Sequence, residues 1–237
     1  MSVLQFRQLS AVEPVISKIC GLNWPDLTEQ DMVGAAWAYY FFSIQFRENL
    51  QIACKLHPDD KNLARLKQEE CETDNLSPYP GIAAVGEKLN HDEFMRRALA
   101  LYPIPDETSR GFHAGGSQYL KEVRAMSPKA RALSIGNYEN GGLGRLFEAM
   151  LQVPSYDNTL VEAFRFFMLE HIRFDSDPIQ GHGALSLHIT GDEEVVPLWD
   201  AFRRLLLAFV PSLRPHAAMD QDLAPSMPPA ELCAVRN

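Results

Sequence analysis

Residues 28–56 read TEQDMVGAAWAYYFFSIQFRENLQIACKL, and this stretch decides the fold class. Thr28 followed by Glu29, Gln30 and Asp31 has the form of a helix N-cap with an acidic first turn, and Pro58 stops the run just beyond Leu56. Between these signals Trp37, Tyr39, Tyr40, Phe41, Phe42 and Phe46 fall on more than one helical face. A helix that is apolar and aromatic on several faces is buried on several sides, which places it at the centre of a helical protein.

Outward from this segment, apolar residues recur at i, i+3, i+4 and i+7, whereas the Val, Ile and Thr alternation of strands is nearly absent. The pattern predicts further helices at about Asp60–Asp74, Pro80–Tyr102, Gly116–Met126, Pro128–Val153, Asn158–Asp175, His182–Ile189 and Asp192–Val210. Proline-bearing stretches at Ser77–Gly81, Pro103–Pro105 and Ser127–Pro128 punctuate them. The expected fold is all-α, a bundle of about seven or eight helices. One domain is expected over residues 1–215, followed by a Pro- and Ala-rich C-terminal tail over 216–237, of which Met219–Asn237 reads as a mobile tail or a lid.

Composition excludes several function classes. The chain has 237 residues, 46% apolar and 22% charged, which fits one folded core and argues against disorder or a disulfide scaffold. A net charge of -9 with no Lys/Arg-rich run removes the footprint of a nucleic-acid or anionic-membrane binder. No apolar stretch reaches the roughly 18–20 residues that cross a bilayer. Neither a signal nor a transit pattern is present at Met1–Ser10, so a cytoplasmic location is expected. Cys20, Cys54, Cys71 and Cys233 are scattered without a C-x-x-C pair and read as free thiols.

The informative residues are ionisable groups on faces that packing wants apolar, because an unpaired buried charge costs several kcal/mol. Glu139 interrupts the stripe Ala132, Ile135, Leu143, Leu146, Met150, beside the unusual run Asn140-Gly141-Gly142, for which a kink, a close backbone approach or room for a ligand are the alternatives. On the predicted 80–102 helix, Glu87 and His91 share one face with Ala84, Phe94, Ala98 and Leu101. His171 and Asp175 stand one turn apart, and on an unbroken helix His182 would lie about 20° from His171 around the axis. Three histidines and three carboxylates facing inward from neighbouring helices make the ligand set that helical bundles use for a di-iron or di-manganese site. A buried hydrogen-bonded network is the alternative.

The run Phe166-Phe167-Met168-Leu169-Glu170-His171-Ile172-Arg173-Phe174-Asp175, with His182-Gly183-Ala184-Leu185 after it, resembles the C-terminal signature of the haem-oxygenase-like di-iron oxidases and oxygenases, which are TenA-like helical proteins. The resemblance implies that His171, Asp175 and His182 are metal ligands. The Glu69-Glu70 pair and His91-Asp92-Glu93-Phe94 look similar to a second element of that family. The carboxylate partnering His91 is therefore Glu70 by motif or Glu87 by helical face. Glu139, 32 residues before His171, stands where the family places a core-helix carboxylate. The cofactors so implied are two Fe(II) ions with O2 as co-substrate.

The resemblance further implies a small-molecule substrate, oxidised in natural-product biosynthesis. Tyr138, Phe147, Phe164 and Phe167, with Trp37 or Phe41, are the expected pocket walls, and their aromatic character favours an apolar or aromatic side chain; an aromatic, tryptophan-type amino acid is what the resemblance implies. Conversion of such an amino acid to a nitrile, as in a cyanobacterial enzyme of similar size, is the nearest activity. No nucleic acid and no membrane is expected as a partner, and a homodimer is compatible with this reading. The rival readings are a metal-free TenA-like or cofactor-maturation enzyme, a haem protein with one proximal histidine, and a non-enzymatic helical interaction domain.

Overall fold

The computed structural model describes residues 10–175 and 181–214, with the side chain of Asp175 excepted. The expected tail over 216–237 lies outside the described residues. Helices α1 (Glu13–Cys20), α2 (Glu29–Leu56), α3 (Lys61–Glu70), α4 (His91–Ala100) and α5 (Asp106–Arg124) form the first half. The second half holds α6 (Pro128–Asn137), α7 (Leu143–Met150), α8 (Thr159–Asp175), α9 (His182–Ser186) and α10 (Val196–Phe209). The protein is all-α: two isolated antiparallel bridges, Thr73 with Leu89 and Tyr79 with Ala83, are the β pairings recorded among the described residues. No helix among those residues is long and apolar enough to cross a membrane.

The axis of the molecule is α2, against which α3, α4, α5, α6, α8 and α10 pack. Its start is a capping box: Thr28 Oγ1 accepts from Asp31 N–H, and the Asp31 carboxylate accepts from Thr28 N–H. Asp60 caps α3 by accepting from Asn62 and Leu63 N–H. Ser127 caps α6, with Pro128 at the first helical position where a missing N–H costs nothing. Trp37, Tyr39, Phe41, Phe42 and Phe46 are buried, as a helix packed on several sides requires, while Tyr40 is partly exposed.

Three predicted boundaries change. The segment expected to be helical from Pro80 becomes α4 only at His91, and residues 71–90 form an irregular loop. Its backbone pairs through the two bridges and through local turns, and Gly81 turns left-handed at φ 75°. The predicted 128–153 helix is divided by a π-helical segment, Tyr138–Gly142, in which Gly141 sits at φ 88°. Helix α5 starts ten residues earlier than Gly116, at Asp106, and α1 is an element the apolar spacing did not reveal.

Candidate metal centre

Four elements converge at one end of the bundle: the last residue of α3 (Glu70), the first of α4 (His91), the last turn of α8 (His171) and the first of α9 (His182). Glu139 joins them from the π segment. All five side chains are buried, at 3–7% exposure. They form two groups, Glu70–His91–His171 and Glu70–Glu139–His182, and within each the ligand atoms lie inside 4.8 Å of one another. These buried groups can hold metal ions.

The Glu70 carboxylate is common to both groups and divides its oxygens between them. Oε2 lies 3.0 Å from His91 Nδ1, and Oε1 lies 2.7 Å from His182 Nδ1. The second contact is not aligned as a hydrogen bond, as expected of two donors arranged around a shared cation. Glu139 Oε2 stands 3.4 Å from the same His182 nitrogen. Burial pushes the Glu70 pKa up, but the neighbouring His91 and His182 outweigh it and hold the carboxyl well below its ordinary value. Glu70 is therefore an anion inside the core.

The two imidazoles of the first group are fixed in tautomer by their outer edges. His171 Nδ1–H donates to the Phe167 carbonyl at 2.8 Å, which leaves a lone pair on Nε2. His91 Nε2 faces Asn75 Oδ1 at 3.3 Å, and the orientation of that amide is set by Asn75 Nδ2 donating to the Glu69 carbonyl. His91 Nε2 thus carries the proton, and Nδ1 points inward. The two inward nitrogens, His91 Nδ1 and His171 Nε2, are 3.1 Å apart. Two imidazole nitrogens bound cis to one divalent ion at ~2.1 Å each stand ~3.0 Å apart. Lone pairs at this distance repel unless a proton or a cation lies between them. Burial, and secondarily the neighbouring His91, hold the His171 pKa down to about 3, so its ring is neutral and ready to ligate at neutral pH.

The second group depends on backbone irregularity. Glu139 lies in the π segment, on the buried face that Ala132 and Ile135 of α6 also share, and the backbone departs from helical only after it, at Asn140 and Gly141. Tyr138 anchors it: its hydroxyl accepts from Gln45 Nε2 at 2.7 Å, within a buried polar network in which Asn49 joins Ser134 and Arg131. On the other side, Gly183 lets α9 approach so closely that a Cβ there would stand 2.9 Å from the Glu139 carbonyl oxygen. Gly183→Val should cost about 1–3 kcal/mol. It should also weaken metal binding at the Glu139–His182 position more than at the His91–His171 position, measured by thermal melts and metal titration.

Of the expected ligands, the structure brings Glu70, His91, Glu139, His171 and His182 together. Asp175 closes α8, and its side chain lies outside the described residues. Glu87 is not in the cluster: it sits in the 71–90 loop, where it accepts from Ala84 N–H and pairs with Arg97 at 2.8 Å. The choice between Glu70 and Glu87 falls to Glu70 because α4 begins at His91, leaving no helical turn before it.

The expected pocket walls Tyr138, Phe147, Phe164 and Phe167 are fully buried in closed packing. Phe167 stacks on His171 at 4.1 Å between centroids and Phe147 meets it edge-on at 5.7 Å. Phe164 packs on Tyr39 at 5.5 Å. A cleft of about 920 Å3 lies instead between α2, α3 and the 71–90 loop, with the charged side chains Arg47, Arg65, Lys67, Glu69 and Lys88 on its walls.

Asn75 carries no signal in the sequence, since its role depends on a loop conformation that no periodicity describes. Compared with protein-family models, curated proteins and solved structures, the chain matches none of them.

Proposed function

We propose that this protein is a non-haem di-iron oxidoreductase that uses O2 to oxidise a small amino acid. The observation that carries the reading is the pair of buried ligand groups sharing Glu70, in which His91 Nδ1 and His171 Nε2 meet at 3.1 Å with their outer edges already bonded. Nitrogen and carboxylate donors without thiolate suit iron or manganese better than a structural zinc.

Ferrous ions held by these residues would supply the electrons that activate O2, the oxidant for the substrate. The chain itself supplies the rest. Glu70 offers one oxygen to each position, and Glu139 adds a second carboxyl oxygen on the side that has a single histidine. Phe147 and Phe167 wall His171 and exclude water from that side. The hydrogen bonds of His91 and His171 to Asn75 and the Phe167 carbonyl hold both rings in ligating orientation without a rearrangement.

The resemblance to the haem-oxygenase-like di-iron enzymes supports a substrate of the aromatic, tryptophan-type amino-acid class, oxidised at its amine end to a nitrile. Fold and ligand set alone do not select it.

The test is anaerobic Fe(II) reconstitution followed by O2, with iron content and optical absorption read for wild type, His171→Ala and Glu139→Ala, and O2 uptake screened across amino acids. The expected result is about two irons per chain in the wild type. Each variant should lose binding at its own position by on the order of 100-fold or more. A folded wild type that binds no iron would overturn the reading in favour of a metal-free TenA-like enzyme.

A further inference from the structure

The ring of His182 is bracketed by two successive carboxylates. Its Nδ1 edge faces Glu70 and Glu139, while its Nε2 edge faces Glu69 Oε2 at 3.4 Å. A neutral imidazole that offers the Nδ1 lone pair carries its proton on Nε2, so the outer edge needs an acceptor. Glu69 is held for this purpose: Arg65 Nε–H, one turn earlier on α3, donates to Glu69 Oε1 at 2.7 Å and leaves Oε2 turned to the ring. Phe174 stacks nearly parallel to the imidazole, at 6.1 Å between centroids and 18° between planes, and restricts its tilt.

We propose that Glu69 is a positioning residue for the metal position held by Glu139 and His182, fixing the tautomer and orientation of His182 from the side of the charged cleft. The role rests on the di-iron reading and adds to it. Glu69 is not one of the atoms gathered around either position; it acts through His182. It also differs from Glu70 in environment, since its side chain is one-third exposed and lines the cleft, whereas Glu70 is enclosed. The chain Arg65–Glu69–His182 therefore runs from solvent to the metal position, and it is the route by which charge in the cleft reaches that position. Carboxylate partners of metal-bound histidines typically contribute about 10–100-fold in metal affinity.

The experiment is anaerobic titration of Co(II) into wild type, Glu69→Ala, Glu69→Gln and Arg65→Ala, followed by calorimetry and by the visible d–d spectrum. His171→Ala and His182→Ala identify which equivalent belongs to which position. In Glu69→Ala the His182 equivalent should weaken about 10–100-fold and its d–d bands should shift, with the His171 equivalent unchanged. Glu69→Gln should recover most of the affinity, because the amide oxygen still presents an acceptor to the Nε2 edge. Arg65→Ala should show a smaller loss at the same equivalent. An unchanged His182 equivalent in Glu69→Ala overturns the proposal, as does an equal loss at both positions accompanied by a lowered Tm. Failure of the underlying reading is distinct, since the wild type itself would then take up no Co(II).

Discussion

Replacing Glu70 with alanine should abolish metal uptake at both positions at once, which no other single substitution in the cluster should do. His171→Ala or Glu139→Ala removes a donor from one group, but Glu70 belongs to both. The same change unpairs two buried imidazoles in the metal-free protein. Removing one member of a buried ion pair can cost about 3–5 kcal/mol when the other charge is trapped. Here the partners are imidazoles that lose a buried polar neighbour and not a trapped counter-charge, so a loss of about 1–3 kcal/mol is expected at neutral pH.

The pH dependence has a definite sign. The folded pKa of Glu70 lies below its ordinary value of 4.5, so its stabilisation is complete above that pH and is lost as the pH falls further. Glu70→Ala should therefore lie below wild type at pH 7 and approach it in acid. Metal titration, with thermal melts of the metal-free proteins at pH 7 and below pH 4, checks both parts. Retention of one metal equivalent by Glu70→Ala would show that the carboxylate is not shared.

Much of this cluster was legible because buried carboxylates and imidazoles violate helical patterning. Glu139 stood out on an apolar stripe, and the glycines beside it marked a kink, a close approach or room for a ligand. The first two occur: Gly141 kinks the π segment at φ 88°, and Gly142 lies so close to Trp199 that a Cβ would stand 2.8 Å from its ring. Residues 80–90 misled because Ala84, Glu87, His91 and Phe94 fit a 3.6-residue period by coincidence. Periodicity reads side chains, whereas this loop is decided by its backbone, in the pairing of Thr73 with Leu89 and Tyr79 with Ala83. The partner of His91 consequently comes from the end of α3, across a loop whose geometry no spacing encodes. Similarly, the aromatic residues expected to wall a substrate pocket were recognised as neighbours of the site, but composition cannot tell an open wall from a closed core.

That last distinction can be tested at Phe167. Its ring is fully buried and meets Tyr39 at 5.2 Å, His91 at 5.5 Å, Phe94 at 5.7 Å and His171 at 4.1 Å. In closed packing, Phe167→Ala should cost about 3–5 kcal/mol, a large fraction of the 5–15 kcal/mol typical of folded proteins. For a chain of this length the Tm should fall by about 10 °C. Phe167→Leu, which keeps most of the volume, should lose only about 1–2 kcal/mol.

The two effects on the site separate cleanly. The hydrogen bond that fixes the His171 tautomer uses the backbone carbonyl of residue 167 and survives either substitution. Metal affinity should therefore fall far less in Phe167→Ala than in His171→Ala. The apolar cavity left behind should admit benzene, which would restore part of the lost Tm. A cost below about 1 kcal/mol for Phe167→Ala would mean that the ring faces open space. The aromatic cluster beside His171 would then be the wall of the substrate pocket rather than its sealed backing.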